Sequence, residues 1–121
     1  MNWQQLEQRI RNEIVPNHTR ILKSSGNERR LVTSNNGREI RMITGVETAS
    51  KKPISYDMLR YAFKMLSEKG TFDSHDFRDK FEREYNNGQC CYSMTGGILV
   101  ELDVAQRVPI GRRRCYYKLN R

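Results

Sequence analysis

Apolar side chains recur every three or four residues at the start of the chain and alternate with polar ones further along. The first set comprises Trp3, Leu6, Ile10 and Ile14. This spacing predicts an amphipathic helix over residues 2–14, which Pro16 ends. Residues 19–22 then have the composition to begin a strand, before a loop rich in serine, glycine and asparagine.

In the next segment apolar and polar side chains alternate with a period of two residues, which predicts a β-hairpin. Residues 29–33 and 39–44 alternate apolar and polar side chains on either side of Ser34-Asn35-Asn36-Gly37. An Asn-Gly pair readily supplies the positive φ of a tight turn, so the two segments are expected to pair with one face buried. Residues 45–52 are polar and basic and are expected to form a linker, which Pro53 closes.

From Ile54 onward, apolar side chains again recur every three or four residues, as in a helix. Ser55 is the expected N-cap and Gly70 the expected end. The apolar stripe between them comprises Leu59, Ala62, Phe63 and Leu66. A second helix is expected after an N-cap at Asp73 or Ser74. Its apolar positions are Phe77, Phe81 and Tyr85, and Asn86-Asn87-Gly88 is expected to end it.

Residues 89–105 admit two interpretations. The helical one rests on Met94 or Thr95, Ile98, Leu99, Leu102 and a break at Asp103. Against it stands Gly96-Gly97, which costs a helix about 2 kcal/mol relative to two alanines. The alternative is a hairpin with strands at 90–94 and 98–104. We favour the helix because two short helices directly upstream need a third for a compact core. Residues 106–110 and 114–119 then form a final hairpin.

Composition bounds the class of protein. With 121 residues, 36% hydrophobic and 30% charged, the chain suits one polar globular domain, or one small domain with an appended subdomain. The longest apolar run is Ile98 to Val100, so no membrane span is expected. The N-terminus has no signal-peptide pattern, which predicts a cytoplasmic location. Three cysteines without a Cys-x-x-Cys pair indicate no disulfide framework.

The net charge of +8 is concentrated at the two ends of the chain. Residues 1–52 carry ten Lys/Arg against five Asp/Glu, and residues 89–121 carry six against two. Residues 53–88 carry six against seven. A basic excess is the electrostatic footprint of a nucleic-acid binder, because neutralising phosphates releases counterions. The alternative is a solvated surface that keeps the protein soluble.

The order helix, helix, helix, strand, turn, strand over residues 54–119 resembles the winged helix-turn-helix family. The residues that carry the resemblance are Leu99-Val100-Glu101-Leu102-Asp103-Val104, Arg107-Val108-Pro109 and Arg114-Cys115-Tyr116-Tyr117. Asp103 stands where that family usually has glycine, and aspartate tolerates the left-handed conformation better than most residues. The expected fold is α+β: an N-terminal helix and β-hairpin unit over 1–52, then a winged helix of three helices and a two-stranded wing over 53–121.

The resemblance implies a small DNA-binding protein that regulates transcription or serves a mobile or defence element. Its third helix would enter the major groove and its wing would meet phosphates of double-stranded DNA. The helix residues that would face the bases are Gln89, Tyr92, Ser93 and Thr95. The basic residues of the wing are Arg107, Arg112, Arg113, Arg114 and Lys118.

A second basic surface is expected near the N-terminal hairpin. Its residues are Arg29, Arg30, Arg38, Arg41, Lys51 and Lys52. These would lengthen the footprint along a duplex, or equally would protect an edge strand against aggregation.

Other functions are weighed against DNA binding. The N-terminal helix favours a protein-interaction or homodimerisation module, with exposed aromatics at Trp3, Tyr116 and Tyr117. An enzyme, such as a Mg²⁺-dependent nuclease, is not expected, because carboxylates, histidines and cysteines show no convergent spacing. The sequence therefore predicts no catalytic residue, no metal site and no cofactor.

Overall fold

Two antiparallel sheets and five helices make up the described part of this computed structural model, which covers residues 1–26, 29–44, 48–49, 53–86 and 90–120. The helices are α1 Trp3–Glu13, α2 Tyr56–Lys69, α3 Ser74–Lys80, α4 Glu82–Asn86 and α5 Cys90–Glu101. The strands are β1 Arg20–Leu22, β2 Arg29–Asn35, β3 Glu39–Thr44, β4 Thr48–Ala49, β5 Ile54–Ser55, β6 Thr71–Phe72, β7 Ala105–Pro109 and β8 Cys115–Leu119. The predicted α+β class is confirmed.

Helix α1 begins at a reciprocal cap and buries its apolar stripe. The side chain of Asn2 accepts a hydrogen bond from the Gln5 backbone N–H, and that of Gln5 accepts one from the Asn2 N–H, both at 2.9 Å. Leu6, Ile10 and Ile14 are at most 1% exposed. The predicted helix is confirmed, and its apolar side packs on its own chain.

The first sheet has the order β1-β2-β3-β4, with β5 also paired to β3. β2 and β3 form the predicted hairpin, and Gly37 adopts a φ of 84° at its turn. Val32, Ile40 and Met42 provide the buried face. Most of the predicted linker over 45–52 lies outside the described residues, and its only described residues, Thr48 and Ala49, pair with β3 as β4.

Helix α2 has the bounds that its cap and stop residues predict. The Ser55 hydroxyl accepts a hydrogen bond from the Met58 N–H at 3.1 Å. Gly70 ends the helix in the left-handed conformation, with a φ of 82°. The short segment after it is more than a link, because Thr71 and Phe72 pair with β8.

The single helix expected over residues 74–86 is divided at Phe81. Asp73 is its N-cap, in a reciprocal capping box with Asp76. At Phe81 the backbone leaves the helical region, with φ −125° and ψ 51°, and α4 begins at the next residue. The break places the Phe81 ring edge-on against Tyr61 of α2, at 5.8 Å between centroids. Packing against a second helix therefore overrides the continuous spacing.

Helix α5 confirms the helical interpretation of this region, and its two glycines explain how the helix is accommodated. A Cβ atom on Gly96 would lie 2.0 Å from the Tyr117 ring of β8. A Cβ atom on Gly97 would lie 2.5 Å from the carbonyl oxygen of Leu22 in β1. The pair lowers helix propensity, but it lets α5 approach an element of each sheet closely.

The end of α5 leads into the second sheet, which has the order β6-β8-β7. Asp103 adopts a φ of 60°, and the N–H groups of Asp103 and Val104 donate to the carbonyls of Val100 and Leu99 at 3.0 and 2.9 Å. This is a Schellman motif with aspartate in the left-handed position. The predicted hairpin of β7 and β8 follows and is confirmed.

Buried side chains from both sides of the expected boundary at 52/53 belong to one hydrophobic cluster. Leu6 and Ile40 represent the first side, while Leu59, Ile98 and Tyr117 represent the second. The first sheet and α1 are thus packed on the same core as the helices and the C-terminal hairpin.

Candidate nucleic-acid interface

The residues expected to read bases from α5 lie in the core. Tyr92, Ser93 and Thr95 are 6%, 4% and 0% exposed, and Gln89 lies outside the described residues. The expectation that the first three lie on an exposed helix face is wrong. The physical reason is that β1 covers one side of α5, while Tyr117 of β8 covers another.

The polar atoms of these three residues have partners inside the molecule. The Tyr92 hydroxyl donates to the Cys115 carbonyl oxygen at 3.0 Å, and the Thr95 hydroxyl donates to the Cys91 carbonyl oxygen at 2.7 Å. The Ser93 hydroxyl accepts a hydrogen bond from the Ser24 N–H at 2.6 Å. Burial also raises the pKa of the Tyr92 hydroxyl, which therefore remains a neutral donor. These groups satisfy buried polar atoms rather than present them to a ligand.

A sequence signal for this burial exists. Residues 90–100 contain no charged side chain, and apolar residues occur all around the helix rather than on one face. A helix with that pattern belongs in a core. The winged-helix resemblance, which assigns the third helix to a groove, gave a different expectation.

Arg112, Arg113 and Arg114 are exposed at the tip of the β7–β8 hairpin. The Ile110 N–H donates to the Arg114 carbonyl oxygen at 3.1 Å and closes a three-residue loop. Within that loop, Gly111 and Arg113 adopt positive φ values of 132° and 60°. Across the described parts of the chain, no side chain forms a hydrogen bond or ion pair with any of the three guanidinium groups.

The other two basic residues assigned to the wing differ from each other. Lys118 is exposed, and its strand partners are Gln106 and Thr71. Arg107 is half-buried, and its Nε donates to the Ser24 carbonyl oxygen at 2.9 Å. Its guanidinium also lies over Gly26, so Arg107 holds β7 against the loop that follows β1.

The strand register defines an outer face of the hairpin. Val108 pairs with Tyr116, Gln106 pairs with Lys118, and the Ile110–Arg114 pair continues the same row toward the tip. The alternate residues Cys115 and Tyr117 are buried. The outer face therefore presents Arg114, directly before β8, followed by Tyr116 and Lys118 of β8. A half-buried aromatic residue thus lies between two exposed cations.

The second basic surface is not assembled as one face. Arg29 and Arg38 are exposed, whereas Arg30 is 8% exposed and lies on the buried side of β2 with Val32. Arg41 is half-buried and forms an ion pair with Glu39 at 3.4 Å. Lys51 and Lys52 lie outside the described residues. The alternation of side chains along a strand explains why neighbouring arginines point to opposite sides.

One aromatic residue and the apolar helix stripe on which the interaction-module alternative rests are covered. Tyr117 is 1% exposed, and burial raises the pKa of its hydroxyl. The apolar side of α1 is buried within the molecule, so this stripe does not offer a dimer interface. Trp3 and Tyr116 are half-buried. Among the described residues, no three His, Cys, Asp or Glu side chains are grouped as metal ligands would be.

No protein-family model, curated protein or solved structure matches this chain. None of the described helices has the length and apolar character needed to cross a membrane. The case for a function therefore rests on the geometry of the hairpin and on the distribution of charge.

Proposed function

We propose that this chain binds double-stranded DNA through the tip of the β7–β8 hairpin, as a winged-helix protein whose third helix belongs to the core. The element order supports this fold, because α2, α3 and α5 precede the hairpin and β6 adds a third strand to it. Asp103, with its φ of 60°, takes the left-handed conformation at the position where the family usually has glycine.

The observation that carries the proposal is the set of three arginines at the tip, which are exposed and have no side-chain partner among the described residues. A guanidinium group binds a phosphate through two parallel hydrogen bonds and keeps its charge at any physiological pH. The net charge of +8 adds a general attraction to the duplex. The base of the hairpin is held by the buried side chains of Cys115 and Tyr117, so the backbone that carries the arginines is already ordered before binding.

The burial of α5 shapes the kind of binding that is proposed. Phosphate contacts position a protein on a duplex but carry no sequence information. Because Tyr92, Ser93 and Thr95 are buried, this helix offers none of them for reading base edges. We therefore expect binding with weak sequence preference and strong dependence on salt.

The test is fluorescence anisotropy of the protein with a random-sequence duplex across a salt series. If each of the three arginines contacts one phosphate, Arg112→Ala/Arg113→Ala/Arg114→Ala will reduce the slope of log K against log salt by about 2.7. The matched control is Arg60→Ala/Lys64→Ala/Lys80→Ala, which removes the same charge from exposed positions on α2 and α3.

The control separates local contact from net charge. If both triple variants weaken binding equally, the hairpin has no special place in the interface. If the wild-type protein binds no duplex even at low salt, DNA binding itself is excluded. Circular dichroism of all three proteins would establish that each variant keeps its fold.

A further inference from the structure

Resting on the proposed function, we propose that the hairpin tip is a wedge, in which Ile110 inserts between two base pairs from the minor groove and bends the duplex. The three arginines beside it would neutralise the phosphates that flank the opened step. Proteins that bend DNA in this way commonly use an isoleucine, leucine, phenylalanine, methionine or proline side chain as the inserted group.

The exposure of Ile110 is the first observation behind this proposal. Its side chain is 57% exposed, while the core residues of this chain are at most 9% exposed. Among the described residues, the other exposed large hydrophobic side chains are Met1, at the chain terminus, and Val15, in the loop after α1. Ile110 is therefore an exposed aliphatic group at the point where the hairpin's three-residue loop begins.

The second observation is the neighbourhood of this side chain. Ile110 and Arg114 face each other across the closing hydrogen bond of the loop, and Arg112 and Arg113 lie between them in sequence. A protein partner for an exposed apolar residue would normally offer a larger apolar surface with a polar rim. Here one aliphatic group lies beside three exposed arginines that have no side-chain partner within the described ranges. This combination complements a DNA duplex, in which stacked apolar bases lie between two chains of anionic phosphates.

The third observation is that the tip has the form and support of a wedge. Pro109 restricts the backbone directly before Ile110. A Cβ atom on Gly111 would meet nothing within 4 Å, so this side of the loop is open to a close approach. Behind the tip, Val108 and Tyr116 are half-buried on the outer face, and Tyr117 anchors β8 in the core. The hairpin is therefore already folded when it contacts a base step.

The experiment uses a short GC-rich duplex with one central TA step, since pyrimidine–purine steps are the most easily kinked. Fluorophores at the two ends report the bend by energy transfer, and 2-aminopurine at the TA step reports loss of stacking. With the wild-type full chain we expect higher energy transfer, corresponding to a kink of roughly 20–90°, and brighter 2-aminopurine.

Ile110→Ser is expected to keep salt-dependent binding but to lose both signals, whereas Ile110→Leu keeps them. Val15→Ser is the matched control at a second exposed aliphatic position, and it should behave as wild type. If Ile110→Ser bends the duplex as wild type does, or if the wild-type protein binds without bending, the wedge is overturned while phosphate binding stands. If the wild-type protein fails to bind at low salt, both proposals are overturned.

Discussion

Helix α5 and the tip of the β7–β8 hairpin are the two regions that the winged-helix resemblance assigns to DNA, and they lie in opposite environments. In α5, Thr95, Ile98 and Leu99 are fully buried, and the helix contacts elements of both sheets. At the tip, Arg112, Arg113 and Arg114 are exposed, and no side chain in the described part of the chain pairs with them. The same order of elements thus yields one region that holds the fold together and one that is available for binding.

This contrast shows that an order of elements does not decide which surface meets a ligand. Function has to be argued from the exposed groups of the particular chain. Here β1 of the first sheet covers one side of α5. Three adjacent exposed arginines lie in the turn between β7 and β8. The proposed mode of binding therefore differs from the one that the resemblance implies.

Gly97→Ala is expected to have the largest effect on stability. Its Cβ atom would lie 2.5 Å from both the Leu22 carbonyl oxygen and the Ile21 side chain. Overpacking of this kind costs about 1–3 kcal/mol, and more where backbone has to move. That cost opposes and exceeds the gain in helix propensity of about 1 kcal/mol. The measurement is the free energy of unfolding from urea denaturation.

Glu101→Ala is the control for this change, because Glu101 is exposed on the same helix. We expect it to alter stability by no more than about 0.5 kcal/mol. If Gly97→Ala instead stabilised the protein, as helix propensity alone predicts, then α5 would not be packed closely against β1. The central contrast between the two regions would then fail.

Arg107→Ala and Lys118→Ala test whether the two cations of the hairpin body differ as their contacts indicate. Loss of the 2.9 Å hydrogen bond from Arg107 to Ser24 should lower the free energy of unfolding. Since Arg107 is half-buried, we expect a loss of about 1–2 kcal/mol. Lys118→Ala should leave stability within about 0.5 kcal/mol. Equal effects in urea denaturation would show that Arg107 does not join β7 to the loop after β1.

Much of the fold could be predicted from local signals. Ser55 and Gly70 bound α2, and Asn36-Gly37 closes the first hairpin, because caps and tight turns depend on a few neighbouring residues. The break at Phe81 could not be predicted, since it follows from contact with Tyr61 of another helix. The pairing of Thr71 and Phe72 with β8 is likewise a contact between segments far apart in sequence.

The candidate site could be predicted only in part, because some of its features depend on contacts between segments that are far apart in sequence. The exposure of Arg112, Arg113 and Arg114 follows from three adjacent charges beside a glycine in a turn. The uncharged stretch over residues 90–100 indicates that α5 is a core helix, but it does not show that β1 is the strand that covers it beside Ser93. Arg107 carries the same charge as the tip residues, and only the position of Ser24 identifies it as a structural group.

Asp103 offers a smaller test, at the junction between the two regions. It holds a φ of 60° at the end of α5, two residues before β7 begins. Asp103→Ala should lower the free energy of unfolding by about 1 kcal/mol, because alanine tolerates this conformation poorly. Asp103→Gly should be neutral or stabilising, since glycine adopts it without steric cost. Thermal or urea unfolding would check both, and a stabilising alanine would contradict the left-handed C-cap.

Arg112→Ala/Arg113→Ala/Arg114→Ala should have the smallest effect on stability. The three side chains are exposed and have no partners among the described residues, so their removal is expected to change the free energy of unfolding by no more than about 0.5 kcal/mol. The same preparation should show the lowered salt slope of DNA binding. A loss of stability comparable to that of Gly97→Ala would mean that the tip is part of the packed structure. A variant that keeps its stability but binds DNA less well would instead show that the tip is a binding surface and not a structural one.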